Sequence, residues 1–287
     1  MKISVTTYEA CTKLGWENGL SLIKDSGFDG VDFSLETDVL YEALEGDYRE
    51  WARSKRAYMD AIGLECVQAH APCNTVLYGD PLDESHKGFV EVTQAMEIAA
   101  IVGAPIIVVH AVMVPPMFDP SEAIDINIRY YKALLPYCEK FGIRVAIENL
   151  YAYCAYRERY ISLLDTPQEM LAVYHGVNSP WVTVCLDLGH ASFLDYHAEH
   201  FIPHLGKGVI GAIHAHDTNL REDSHLLPFT GKMNFPAIIQ ALKAVEYDGA
   251  FSLEVPYFFN RLPNELQADA HQLAARVARY IADQLEA

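Results

Sequence analysis

The stretch TVCLDLGHA, residues 183–191, begins like a buried β-strand and ends in two polar side chains that suit a functional site. Its first four residues have the β-branched and apolar character of a core strand. Asp187 follows directly, and His190 comes three positions later. Taken alone, such an aspartate is often a helix cap, and a lone histidine is often a core residue. The rest of the chain has to decide whether this strand end is functional.

Glycines that end helix-like stretches divide the chain into units of similar length. They lie between 32 and 41 residues apart, which is the length of one strand plus one helix. Glycine is favoured after a helix because that position adopts a positive φ, which costs other residues more. The glycines are Gly27, Gly63, Gly103, Gly142, Gly176, Gly208 and Gly249.

Eight short apolar runs predict eight strands, separated by amphipathic stretches such as residues 86–103 and 235–247. Strands that alternate with helices form a parallel sheet. We therefore expect a single-domain (β/α)₈ TIM barrel over residues 1–287. An open doubly wound sheet is the alternative, but no glycine-rich phosphate loop follows the first strand. The runs lie near 3–7, 30–34, 64–69, 105–109, 143–147, 182–186, 209–213 and 250–253.

Composition limits the possible environments and partners. The chain of 287 residues is 51% hydrophobic and 21% charged, so it can build a large core. No apolar run approaches the roughly 20 residues that span a bilayer, and the N-terminus lacks a signal-peptide pattern. The six cysteines form no C-x-x-C pair, which favours reduced thiols and a cytoplasmic location. The net charge of −18 argues against nucleic-acid and membrane partners.

Six consecutive strands are followed by a carboxylate or an imidazole. The carboxyl ends of barrel strands open into one mouth, where active sites are built, so these side chains should converge. Any one of them alone is weak support for a site, but six at one end of a barrel are strong support. They are His70, His110, Glu148, Asp187 with His190, His214 with His216, and Glu254.

Four of these residues suit a divalent cation. Buried carboxylates cost several kcal/mol unless they are paired or bound to metal, and few Lys or Arg residues follow these strands to pair with them. We expect the cation to be bound by Glu148, Asp187, His214 and Glu254. Three carboxylates and one imidazole favour Mn²⁺ most, with Mg²⁺, Co²⁺ or Zn²⁺ as alternatives.

The succession HAP, VVH, AIEN, CLDLGHA, IHAHD and SLEV resembles the xylose-isomerase-like TIM-barrel superfamily. That group includes sugar and sugar-phosphate isomerases and epimerases, inosose dehydratases and endonuclease IV-type repair enzymes. In its ketose 3-epimerase branch the matching Glu, Asp, His and Glu bind one metal, and both glutamates move the proton. The resemblance implies that Glu148 and Glu254 are catalytic and that His190 contacts substrate. The chain departs from that branch at Leu220 and Cys154, where an Arg and a second Glu are usual.

The repair enzymes offer a competing interpretation. The D-x-H pair formed by Asp223 and His225 resembles part of their trinuclear zinc cluster. The opening strand does not resemble theirs, however, and the charge of −18 repels a phosphate backbone. In sugar-acting relatives the same loop lines the substrate pocket. We therefore expect a group of residues that contact substrate, namely His70, His110, His190, His216, Asp223 and His225.

Two aromatic segments are less specific. YAYCAYRERY, residues 151–160, reads as a loop whose Arg157 and Arg159 could clamp a phosphate or carboxylate, although a capping loop or a dimer contact is equally consistent. VPYFFNRL, residues 255–262, suits either the pocket rim or a homo-oligomer contact.

The function predicted from these residues is metal-dependent isomerisation or epimerisation of a sugar or sugar derivative, with proton transfer through an enediolate. A lyase that dehydrates an inosose or keto-sugar, or cleaves a C-glycoside, would use the same enolate. The zinc nuclease and a metal-free binding protein are the remaining alternatives.

Overall fold

The computed structural model describes residues 1–73, 82–112, 120–154, 159–164, 166–193 and 197–287. Ten strands lie in this part of the chain. In chain order they are β1 (Ile3–Thr6), β2 (Gly30–Ser34), β3 (Glu65–His70), β4 (Ile106–His110), β5 (Arg144–Glu148), β6 (Leu150–Cys154), β7 (Arg159–Leu163), β8 (Val182–Asp187), β9 (Ile210–His214) and β10 (Phe251–Leu253).

Eight of these strands form one parallel sheet that curls into a barrel. Their order around the sheet is β10, β1, β2, β3, β4, β5, β8 and β9. A parallel bridge between Ala215 and Leu253 joins the two ends of this order, and the Ala215 amide donates to the Ser252 carbonyl oxygen at 2.8 Å. The predicted single TIM barrel is confirmed, and its strands lie within one or two residues of the predicted runs.

Helices alternate with the barrel strands and cover the outside of the sheet. They are α1 (Tyr8–Leu14), α2 (Trp16–Asp25), α3 (Thr37–Leu44), α4 (Tyr48–Ile62), α5 (Lys87–Val102), α6 (Pro120–Phe141), α7 (Pro167–Val177), α8 (Leu188–Phe193), α9 (Ala198–Leu205), α10 (Phe235–Ala244), α11 (Pro256–Asn260) and α12 (Gln267–Glu286). A short 3₁₀ turn, Asn264–Leu266, precedes the last of them.

The glycine pattern holds at several helix ends and fails at others; α10, for example, ends at Ala244, well before Gly249. Gly63 and Gly103 follow α4 and α5 in the left-handed conformation, with φ of 67° and 93°. Gly176 instead lies inside α7, and Asn178 adopts the left-handed conformation with φ of 50°. Asparagine tolerates this conformation better than most residues, so it can end a helix in place of glycine.

Alternation along the strands separates the barrel interior from the layer under the helices. Residues two apart share a face, so the residues two positions before the strand-end side chains also point inward. Four of these inward-pointing residues belong to a small buried cluster that is separate from the main core. The small cluster consists of Ile106, Val108, Ala146, Cys185 and Ala212. This apolar layer supports the polar mouth from below.

The sequence predicted a loop over residues 151–160, but the described residues at both ends of this segment form strands. β6 and β7 pair antiparallel outside the barrel, with Tyr151 opposite Ser162 and Cys154 opposite Arg159. Aromatic residues at alternate positions favour an extended strand, which explains the hairpin. Arg157 lies outside the described residues.

The cysteines whose side chains the structure describes are free, and Cys11, Cys138 and Cys185 are buried. In the part of the chain that the structure describes, every helix is too short or too polar to cross a membrane.

Candidate active site

Four side chains from neighbouring strands meet at the carboxyl end of the barrel. One ligand atom from each lies within 4.8 Å of the others. We call this group the acidic cluster; its members are Glu148, Asp187, His214 and Glu254. The structure thus brings together the four residues expected from the sequence to bind metal. Their role as metal ligands stays a prediction.

Glu148 is the most enclosed carboxylate of the acidic cluster. It ends β5 with a side chain only 1% exposed. Its Oε1 lies 2.8 Å from His214 Nδ1, and its Oε2 lies 3.0 Å from His110 Nε2 and 3.4 Å from His70 Nε2. Burial would raise the pKa of Glu148, but the charges of His214 and His110 outweigh it and lower the pKa well below its usual range.

Asp187 has two roles in the structure. Its Oδ1 accepts a hydrogen bond from the His190 backbone amide at 2.6 Å, so it caps the short helix α8. The same oxygen lies 3.0 Å from His216 Nε2. The carboxylate is fully buried and belongs to the acidic cluster. The sequence allowed Asp187 to be either a helix cap or a member of a site. In the structure it caps α8 and also belongs to the acidic cluster.

His214 joins the acidic cluster to a deeper carboxylate. Its Nδ1 faces Glu148 and lies 3.6 Å from Glu254 Oε2. Its Nε2 lies 3.1 Å from Asp32 Oδ2, and that oxygen also accepts a hydrogen bond from Gln68 Nε2 at 2.7 Å. Asp32 and Gln68 were missed by the sequence analysis. An aspartate within the apolar strand GVDFS was the available signal.

Glu254 is the most accessible member of the acidic cluster. Its side chain is 21% exposed, and among the described residues no donor hydrogen-bonds its Oε2. It lines a cavity of about 590 Å³ together with Tyr8, Glu36 and Tyr257. Pockets of this size accept small molecules such as sugars. Glu254 therefore stands between the acidic cluster and an open pocket.

A second group lies beside the first. We call it the histidine cluster; its members are His190, His216, Asp223 and His225, and their ligand atoms also lie within 4.8 Å of one another. The His216 and His225 rings stack with centroids 4.0 Å apart. Asp223 Oδ2 lies 2.8 Å from His225 Nε2 and 3.6 Å from His190 Nε2. The structure brings these four predicted substrate-contact residues together.

The remaining predicted substrate contacts among the described residues are His70 and His110, which lie against Oε2 of Glu148, the oxygen that faces away from His214. Their rings meet edge to face with centroids 4.8 Å apart. Cys73, which the sequence analysis did not select, places its Sγ 4.0 Å from His110 Nε2 and donates to Glu36 Oε1 at 3.2 Å. Burial opposes a charge on His70, but its hydrogen bond to Glu148 outweighs burial and raises its pKa to about 9.

The donor chemistry of the acidic cluster fits a divalent cation. Among the described residues, no Lys or Arg forms an ion pair with its three carboxylates, whose salt bridges are all to histidines. Burial raises the pKa of Asp187, but the charges of His190 and His216 outweigh it and lower the pKa to about 2. Within the cluster itself three carboxylates face one imidazole, and a divalent cation would neutralise the remaining negative charge.

Several known proteins resemble this chain in sequence or in fold. The curated protein L-ribulose-5-phosphate 3-epimerase UlaE of Shigella boydii is 24% identical over 265 residues, which cover 88% of this chain and 87% of that protein. The structure of a D-tagatose 3-epimerase-like protein superposes with a TM-score of 0.73 and 21% identity, covering 99% of both chains. The IOLI protein with a bound zinc atom superposes with a TM-score of 0.72 and 16% identity, covering 99% of this chain and 98% of that one.

At such identities the two structures show a shared fold. A family model described as the xylose isomerase-like TIM barrel matches residues 16–280. The match includes seven of the eight barrel strands and both clusters. The barrel, the succession of strand-end side chains and this match agree, and the chain belongs to the xylose isomerase-like TIM barrel family.

Proposed function

We propose that this protein is a divalent-metal-dependent isomerase or epimerase that acts on a sugar or sugar derivative. The acidic cluster carries the proposal, because three carboxylates and an imidazole converge there without a Lys or Arg partner among the described residues. Its donor set favours Mn²⁺, with Mg²⁺, Co²⁺ or Zn²⁺ as alternatives. The UlaE and D-tagatose 3-epimerase-like proteins are named for sugar epimerisation, and the IOLI structure holds zinc.

When bound, the cation supplies Lewis acidity that polarises a substrate carbonyl and stabilises an enediolate. Glu254 is placed to move the proton on the pocket side, because it is partly exposed and its Oε2 has no hydrogen-bond donor among the described residues. Glu148 would serve the opposite side, where His70 and His110 contact its Oε2. The two glutamates then form the acid–base pair.

The histidine cluster suits contact with a substrate oxygen that gains negative charge. Burial opposes a charge on His225, but its hydrogen bond to Asp223 outweighs burial and raises the pKa to about 9. Burial also opposes a charge on His190, but the charge of Asp187 and a hydrogen bond to Asp223 outweigh it and raise the pKa of His190 well above its usual value. Charged imidazoles can donate to a developing alkoxide. We propose that His190, with His216 and His225, orients the substrate hydroxyls beside the acidic cluster.

The proposal is tested by turnover in heavy water. Purified protein loaded with Mn²⁺ is screened against ketoses, their phosphates and inososes, and products are identified by NMR. An isomerised or epimerised product with solvent deuterium at the reacting carbon supports proton transfer through a carboxylate, and partial labelling does so as well. A product with no deuterium would point to a hydride shift. An unsaturated or fragmented product would point to a lyase.

A further inference from the structure

Asp32 is a buried carboxylate that the proposed reaction does not use. It lies in the middle of β2, three strands from β9 around the barrel, and it is fully buried. Among the described residues its basic neighbour is His214, at 3.1 Å from Oδ2. A buried carboxylate is costly unless it is well paired. Its place against a candidate metal ligand therefore calls for a role.

Hydrogen-bonding contacts link Gln68 to Asp32, and Asp32 to His214 of the acidic cluster. Gln68 Nε2 donates to Asp32 Oδ2 at 2.7 Å, and Gln68 is 2% exposed. The same Oδ2 faces His214 Nε2, while His214 Nδ1 faces Glu148 Oε1 at 2.8 Å. The histidine thus turns one ring nitrogen to Asp32 and the other to the acidic cluster.

To bind metal, His214 has to give up its charge; a neutral imidazole carries one proton, and only the nitrogen without it can bind metal. Asp32 is a pure acceptor when ionised, so it favours the tautomer with the proton on Nε2. That tautomer leaves the Nδ1 lone pair facing the acidic cluster. Such a carboxylate also makes the imidazole a stronger ligand.

We propose that Asp32 is a positioning residue that fixes the tautomer of His214 and directs its Nδ1 to the divalent cation. This inference rests on the proposed function, because it requires a cation in the acidic cluster. Gln68 in turn holds Asp32 in the orientation that presents Oδ2 to the ring.

The test uses the full chain loaded with Co²⁺ and reads metal binding instead of activity. Wild-type protein should show a strongly shifted N–H proton resonance from His214 that disappears in D₂O. Asp32→Asn keeps an acceptor but loses the charge, so affinity for Co²⁺ should fall about tenfold. Asp32→Ala removes the acceptor, and affinity should fall toward the 100-fold typical of a lost supporting group. The N–H resonance should broaden or vanish in the same order.

A matched control separates positioning from stability. Thr183→Val removes another fully buried hydrogen bond of the barrel, from Oγ1 to the Val209 carbonyl oxygen at 2.9 Å. It should leave Co²⁺ affinity and spectrum unchanged. Folded Asp32 variants with wild-type affinity would overturn the inference. So would a wild-type Co²⁺ complex without the exchangeable resonance, which decides the matter even if the variants do not fold.

The outcomes also separate this inference from the proposed function. Asp32-dependent Co²⁺ binding without turnover of any sugar would leave the positioning role standing and reject the isomerase. Turnover with solvent labelling, together with a Co²⁺ affinity that is unchanged in the Asp32 variants, would reject only the positioning role.

Discussion

The acidic cluster and the histidine cluster lie side by side at one mouth, yet they balance charge in opposite ways. The acidic cluster sets three carboxylates against one imidazole, whereas the histidine cluster sets three imidazoles against one carboxylate. Asp223 can be neutralised by the histidines around it. Within the acidic cluster a single imidazole faces three carboxylates, and among the described residues the other ion pairs of these carboxylates are to histidines outside the cluster. We therefore propose that the acidic cluster binds a cation and that the histidine cluster works without one.

The largest expected effect comes from Glu254→Gln. The amide keeps an oxygen for the metal but cannot carry a proton, so turnover should fall by the roughly 10²–10⁴-fold typical of a lost general acid or base. Steady-state kinetics on the substrate found in the screen measure the loss. Glu246→Gln makes the same change at an exposed glutamate that pairs with Lys207 and should leave turnover unchanged. Near-normal turnover of the Glu254 variant would remove this residue from the mechanism.

Asp187→Asn weakens the acidic cluster while leaving the barrel folded. An asparagine oxygen can still accept the His190 amide hydrogen and cap α8, but it is a poorer ligand than a carboxylate. We expect metal affinity, measured by titration calorimetry, to fall by at least tenfold. Asp47→Asn changes another capping aspartate, at the start of α4 and away from both clusters, and should bind metal normally. Unchanged metal affinity in the Asp187 variant would mean that this residue is no ligand.

Asp223→Asn tests whether the histidine cluster supports turnover without binding metal. Removing this carboxylate takes away the largest of the interactions that raise the pKa of His225 to about 9. The pKa of His225 should then fall toward its ordinary value of about 6.5, so its charged form, present below the folded pKa, is lost at a lower pH. We expect kcat/KM to fall about tenfold at pH 8, with a smaller fall at pH 6, while metal content stays the same. Loss of metal in this variant would assign an ion to the histidine cluster.

The smallest effect is expected outside both clusters, at Arg157. Its segment of sequence predicts recognition of an anionic group, so Arg157→Ala should raise KM for a phosphorylated or acidic sugar more than it lowers kcat. A rise of about threefold to tenfold is expected for the loss of one ionic contact, on the order of 1 kcal/mol. The uncharged sugar of the same skeleton is the control. Equal kinetics on both substrates would return this segment to a structural role.

The sequence predicted the barrel well because its signals are local. Glycine spacing, short apolar runs and amphipathic stretches each reflect the geometry of one strand or helix. The strand-end residues followed from topology, since parallel strands bring their carboxyl ends together. Asn178 escaped prediction because glycine was the expected helix-ending residue, although asparagine also adopts the left-handed conformation.

The parts of the site that were missed depend on contacts across the barrel. Asp32 belongs to the face of β2 that points inward, but only the curvature of the closed sheet brings it to His214, far along the chain. Cys73 lies beyond the end of β3 and meets His110 through the neighbouring strand. The β6–β7 hairpin was missed because its tyrosines suggested a loop rich in contacts, although their alternation also fits paired strands.

The metal content of each chain shows whether the acidic cluster binds a cation. Wild-type protein, Asp187→Asn and Asp223→Asn are loaded with Mn²⁺, desalted and analysed by plasma mass spectrometry. We expect one ion per chain in the wild type, a large loss in Asp187→Asn and no loss in Asp223→Asn. No retained ion in the wild type would contradict the claim that the acidic cluster binds a cation. About three ions per chain, with loss in both variants, would contradict the claim that the histidine cluster works without one.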